Sequence, residues 1–112
     1  MDWTKIKQNK EYTNKQIEKK EVLDPCIELC KKYIKFGKIL QYRRLEGWYE
    51  DGEPDIEIWV AVGNVLSILM VECKKIDGTQ QKNQKEYEKK YDGYSNVKYL
   101  IVRNVEELKG IL

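Results

Sequence analysis

Glu72-Cys73-Lys74 closes an apolar stretch, Val65-Leu66-Ser67-Ile68-Leu69-Met70-Val71, in a chain of 112 residues. In an extended strand alternate side chains share a face, so Glu72 and Lys74 project together and Cys73 projects the other way. An acid and an amine then meet on one rim. The same three-letter pattern recurs at Glu18-Lys19-Lys20, Glu88-Lys89-Lys90 and Glu107-Leu108-Lys109, as a Glu- and Lys-rich composition guarantees. What separates residues 72–74 is their place at the end of an apolar strand, facing Asp55 at the start of an adjacent antiparallel strand. Two carboxylates, a backbone carbonyl and water make a hard-oxygen set suited to Mg²⁺, and Lys74 would stabilise developing phosphate charge or orient an attacking water. Such a set hydrolyses a phosphodiester without histidine or a cysteine nucleophile. The competing, purely structural account makes Asp55 a turn residue and Glu72–Lys74 an exposed ion pair worth about 0–1 kcal/mol.

Around that trio stand further candidates. Glu57 shares the Asp55 face. Glu21 or Glu28, near the first helix, would supply a further metal ligand or orient water. Gln84 follows Lys74 on the next helix, where its amide would hydrogen-bond water, a phosphate or Lys74 without adding charge repulsion. Lys31, Lys32, Lys35 and Lys38, with Gln41, Arg43 and Arg44, offer a basic margin for a phosphate backbone, and Trp48 and Tyr49 add aromatic surfaces. The bland alternative packs the aromatics into a loop and leaves the lysines to solvate a helix.

The elements that must position these residues follow from pattern. Asp24-Pro25 predicts a helix start, with the helix running to about Phe36 before Gly37. Ile39 to Leu45 reads as a strand. Asp55 to Val62 alternates, with Ile56, Ile58 and Val60 on one face and Asp55, Glu57 and Trp59 on the other, and Gly63-Asn64 turns the chain into Val65 to Lys74. The apolar continuity of that last run predicts a central strand covered on both faces. A polar helix over about Thr79 to Tyr91, a strand from Val97 to Val102 and a short helix from Asn104 to Lys109 complete the order α-β-β-β-α-β-α, with the last strand returning parallel through a crossover. Residues 1–20, rich in Lys, Asn and Gln, read as a basic arm or extra helix ahead of a domain over residues 21–112.

Composition narrows the function classes. Charged residues make up 36% of the chain, but the net charge is only +2, which excludes a histone-like polycation. No apolar run approaches the roughly 18 residues of a membrane helix, and Met1-Asp2-Trp3-Thr4-Lys5 leads into charge. A cytoplasmic protein is expected, in a host cell's cytoplasm if the source is viral. Cys26, Cys30 and Cys73 are three, and there is no histidine. They read as reduced, packed thiols rather than zinc ligands. No Gly-rich phosphate loop and no dinucleotide fingerprint is present.

The ordered combination resembles the PD-(D/E)XK nuclease superfamily, in particular its small stand-alone VRR-NUC domains and, less closely, archaeal-type Holliday-junction resolvases. Gly52-Glu53-Pro54-Asp55 is similar to the family's metal-binding turn. Glu72-Cys73-Lys74 is similar to its central-strand motif, and Gln84 to the glutamine on the following helix. The stretch Tyr99 to Leu108 resembles its closing strand and short helix. The resemblance implies a compact restriction-endonuclease-like α/β domain with a central mixed sheet flanked by helices. It implies a Mg²⁺-dependent endonuclease, with Mn²⁺ able to substitute, acting as a homodimer on branched or structured DNA, away from membranes. Asp55, Glu72, Lys74 and Gln84 would be its catalytic residues, Asp55 and Glu72 holding metal with Glu21 or Glu28. Lys31, Lys35, Lys38, Arg43, Arg44, Trp48 and Tyr49 would bind DNA. Two other readings compete: a non-catalytic nucleic-acid-binding domain using the same basic face, and a protein-interaction domain using Tyr87, Tyr91, Tyr94 and Tyr99.

Overall fold

A computed structural model describes residues 15–45 and 53–112. They form a mixed four-stranded sheet in the order β1-β2-β3-β4, with helices on both faces. The strands are β1 (Gln41–Arg44), β2 (Ile56–Val62), β3 (Val65–Cys73) and β4 (Val97–Val102). β2 runs antiparallel to both of its neighbours, β1 and β3, and β4 runs parallel to β3. The helices are α1 (Asp24–Lys35), α2 (Lys82–Lys89) and α3 (Val105–Ile111).

Binary patterning decides which face is the core. Ile56 pairs with Val71 and Ile58 with Leu69 across β2 and β3, so both strands turn these side chains to one side. Val102 and Cys73 extend the same face, and Cys26, Ile27 and Cys30 of α1 pack onto it with Leu108 of α3. The opposite face carries Glu57 beside Met70 and, on β4, Tyr99 beside Met70. It is covered more thinly, because α2 buries no residue completely. Tyr91, just past the end of α2, stacks on Tyr99 with ring centroids 6.2 Å apart and fixes that helix to the sheet.

The N-terminal helix differs from the expected start at Asp24. Helical residues begin by Lys15, pass through a π-helical turn at Lys19–Leu23 and continue into α1 without a cap. The reason lies in Pro25, which lacks an N–H and crowds the carbonyl four residues before it. Widening the preceding turn, with the Asp24 N–H donating to the Lys19 carbonyl, accommodates the ring inside a continuous helix. A boundary at residues 20 and 21 therefore falls within one helix. Val22 and Leu23, on the wide turn, are buried in the core.

The polar helix is shorter than the span of Thr79 to Tyr91. Gln81 is its N-cap in extended backbone, and the side chains of Gln81 and Gln84 close a capping box. The loop before it is clamped by Arg103, whose Nη1 donates to the carbonyls of Lys75 at 2.8 Å and Gly78 at 2.6 Å. Asn104 caps α3 by accepting from the Glu107 N–H at 2.9 Å.

Candidate active site

The β2–β3 register places Ile56 opposite Val71, and one more step sets Asp55 beside Glu72. Two bonds lock that corner. The Asp55 N–H donates to the Val71 carbonyl at 2.9 Å, and the Cys73 N–H donates to Oδ2 of Asp55 at 2.7 Å. The carboxylate thus takes the place of a ladder carbonyl at the end of β2 and is held against the backbone of the Glu72-Cys73-Lys74 segment. Pro54, fully buried, fixes the approach to this corner. Lys74 continues the sheet by donating its N–H to the Val102 carbonyl at 3.0 Å.

Glu72 and Lys74 share a face, as period-two geometry requires, while Cys73 points into the core beside Cys26. The expected water-accessible rim is realised only at Asp55. Glu72 is 1% exposed and Lys74 7% exposed. Both Glu72 carboxylate oxygens are buried without a hydrogen-bond partner. Burial pushes the Glu72 carboxyl above its ordinary range, and the Lys74 charge opposes the shift without coming into hydrogen-bond contact. Asp55 and Glu88 add to the rise through like charge. Leaving a buried carboxylate unpaired costs more than the roughly 1–3 kcal/mol of a neutral orphan. A divalent cation would relieve that cost.

Asp55 and Glu72 are the two acids the strands bring to one corner. Glu21 is exposed on the π-helical turn, and Glu28 is exposed and paired with Lys31 at 3.1 Å. Among the described residues no three His, Cys, Asp or Glu side chains are arranged to hold a metal ion. A cation here would take Asp55, Glu72, backbone carbonyl and water, a set compatible with the several waters Mg²⁺ retains. Glu18, one turn before Glu21, reaches the loop beyond Lys74: its Oε1 lies 3.2 Å from where a Cβ on Gly78 would stand. Its place in the arm-like composition of residues 1–20 concealed that.

Gln84 is engaged elsewhere than at the acids. Its Oε1 accepts from the Gln81 N–H at 2.8 Å, as the second half of the capping box. The glutamine that approaches the acids is Gln80, which influences the Tyr99 hydroxyl and donates from Nε2 to Oε2 of Glu88 at 2.8 Å. Tyr99 itself lies against Glu72, and burial together with the Glu72 charge pushes its hydroxyl well above the ordinary phenol range. Gln80 does not stand out in sequence, since it sits in a run of Gln, Lys and Asn. Glu57 accepts from Nε of Arg43 at 2.7 Å and lies near Tyr91 rather than joining Asp55.

The basic residues are dispersed. Lys31, Lys32 and Lys35 line a groove of about 550 Å³ with Glu28, Ile34 and Tyr42, on the α1 side of the sheet and away from Glu72. Lys38 sits over the Tyr33 ring at 4.7 Å, and Arg44 lies 3.8 Å from Asp24. Arg43 is committed to Glu57. Trp48 and Tyr49 lie outside the described residues. No helix among the described residues is long and apolar enough to cross a membrane.

Compared with family models, with curated proteins and with solved structures, the chain finds no match.

Proposed function

We propose that the chain is a Mg²⁺-dependent endonuclease that hydrolyses phosphodiester bonds in branched or structured DNA. The observation that supports it best is the buried, unpartnered Glu72 carboxylate beside Lys74, at a corner where Asp55 is anchored by the Cys73 N–H. A bound divalent cation supplies Lewis-acid polarisation of a phosphoryl oxygen and lowers the pKa of water. Asp55 and Glu72 would hold it, Asp55 pre-set by its backbone bond and Glu72 gaining the partner that burial denies it. Lys74 brings a positive charge to the same face, where it stabilises the charge that develops on the phosphate. Burial of Lys74 strengthens that contribution, because little water screens it. On this reading two copies related by a twofold axis present two such corners to one branched substrate.

The test is cleavage of nicked, flapped and four-way DNA with Mg²⁺ by the full chain and by Asp55→Ala, Glu72→Ala and Lys74→Ala. Cleavage by the unaltered chain alone is expected. Equal cleavage by all four proteins would reject these roles.

A second reading draws on the lysine-lined groove of α1, which lies apart from the acids. A non-catalytic nucleic-acid-binding domain would use it, and its binding would fall steeply with salt yet survive chelation of divalent ions.

A further inference from the structure

The α1 face of the sheet stays apolar beyond the point where α1 covers it. Alternation along β2 puts Ile56, Ile58 and Val62 on that face, and Val65, which pairs with Val62 across the hairpin, shares it. Beneath α1, Ile56 and Ile58 are 0% exposed, whereas at the hairpin end Val62 is 71% and Val65 52% exposed. The helix stops at Lys35, and Phe36 just past its end and Leu40 just before β1 are exposed as well. A groove of about 270 Å³, lined by Ile34, Leu40 and Ala61 among others, runs between the helix end and this overhang. Ile34 also lines the larger lysine-bearing groove, so the two concavities meet there. Apolar side chains gathered in this way on a surface mark a place that another molecule covers.

Charge narrows what that molecule is. Lys31, Lys32, Lys35 and Lys38 line the two grooves, and Glu28 is the one acid among the lining residues. Glu28 offsets Lys31 alone, while Lys35 has no ion-pair partner among the described residues. Lys32 and Lys38 lie over the Phe36 and Tyr33 rings, contacts that leave their charge uncancelled. A second copy docking through the same twofold patch would set lysines against lysines. A phosphate backbone would answer the lysines and leave the apolar overhang in water. An acidic peptide with apolar anchors satisfies both halves of the surface, its carboxylates on the rim and its hydrophobic side chains in the grooves.

We propose that the hairpin end of the α1 face, with its two grooves, is the docking surface for an acidic segment of a protein partner carrying leucine, isoleucine or phenylalanine anchors. β2 rises about 3.4 Å per residue, so Val62 stands roughly 20 Å along the sheet from the end that holds Asp55 and Glu72. Docking therefore leaves that corner open, and the proposal is independent of any metal chemistry there.

The test is selection of a random peptide library on the full chain, with the Val62→Ser/Val65→Ser double variant as counter-target. Peptides combining Asp and Glu with Leu, Ile or Phe are expected to be enriched. In amide NMR spectra of the unaltered chain such a peptide should shift Phe36, Leu40, Val62 and Val65 and leave Asp55 and Glu72 in place, a measurement that needs no variant to fold. Lys35→Glu, at an exposed position, should weaken its binding about 10-fold or more, because like charges then face each other. Enrichment of basic or uncharged peptides, no enrichment, or shifts elsewhere on the chain overturns the proposal. So does duplex DNA that shifts the same four amides, which gives the surface to nucleic acid. Self-association in light scattering that the double variant abolishes also overturns it, and gives the surface to a second copy.

Discussion

The Cys73 N–H donates to Oδ2 of Asp55 at 2.7 Å, so the carboxylate just ahead of one strand caps the part-buried end of its neighbour. Asp55 therefore has a structural duty as well as a candidate chemical one, and substitution can separate them. Asp55→Ala leaves a part-buried N–H without its acceptor and should cost about 1–3 kcal/mol. Asp55→Asn retains an acceptor oxygen, so it should keep most of the stability while losing the charge that attracts a cation. Urea unfolding alongside Mn²⁺ titration measures both. Unaltered metal affinity in Asp55→Asn would remove Asp55 from the ligand set.

Glu72 makes stability depend on pH in a definite direction. Its folded-state pKa is raised above the ordinary 4.5 by burial. The folded chain thus holds that proton more firmly than the unfolded chain, and the associated stability is complete below about pH 4.5 and declines as pH rises. Metal-free protein should accordingly lose stability as pH rises above about 4.5 relative to Glu72→Gln, which carries no ionisable group at that position. Millimolar Mg²⁺ should offset the loss in the unaltered chain only. Parallel stability curves for the two proteins would show that Glu72 pays no burial penalty.

Gln84 should behave as a cap rather than as a site residue. Its Oε1 accepts from the Gln81 N–H, so Gln84→Ala should destabilise α2 by about 0.5–2 kcal/mol, the range for losing a cap. Gln84→Glu should restore stability, because Glu closes a capping box as well as Gln does. Metal affinity should follow neither change. Thermal unfolding and Mn²⁺ titration of both variants check this, and loss of metal binding in Gln84→Glu at normal stability would return Gln84 to the acids.

What was legible in sequence and what was not divides along physical lines. The faces of β2 and β3 were legible because a strand has period two: Ile56 and Ile58 against Asp55 and Glu57, and Glu72 with Lys74 against Cys73, stand as the alternation requires. The parallel return of β4 followed from the helix between β3 and β4. The π-helical turn was not legible, since a single added residue leaves the apolar stripe of α1 nearly intact, and Asp24-Pro25 imitates a helix start. Nor was the choice between Gln80 and Gln84. The helix begins at Lys82, and in a run of similar polar residues nothing but the cap geometry decides which glutamine turns inward. Burial of Glu72 was likewise hidden, because it depends on how α2 and the loop held by Arg103 settle over the sheet.

The thiols behind the acids offer a way to read metal binding without any substrate. Cys26 and Cys30 are 0% exposed and Cys73 is 4% exposed, all three free. Burial pushes the Cys30 thiol up to about 12. At pH 8 that leaves only about one thiol in ten thousand ionised, and the thiolate is the reactive form. The Cys26 thiol is held below its ordinary range by Cys73 and is protected by burial alone, so with all three thiols buried a disulfide reagent should label the native chain no faster than it unfolds, and should label all three cysteines at once in urea. Cys73 lies between Glu72 and Lys74 in sequence and shares its backbone with the proposed ligand set. A cation that binds only the folded chain adds stability by mass action, so Mg²⁺ at about 100 times its dissociation constant should slow labelling about 100-fold. Glu72→Gln should abolish that protection while leaving metal-free labelling slow. Rapid labelling of the native chain would show that the thiols are not packed as described, and a rate indifferent to Mg²⁺ in the unaltered chain would leave Asp55 and Glu72 as structural acids.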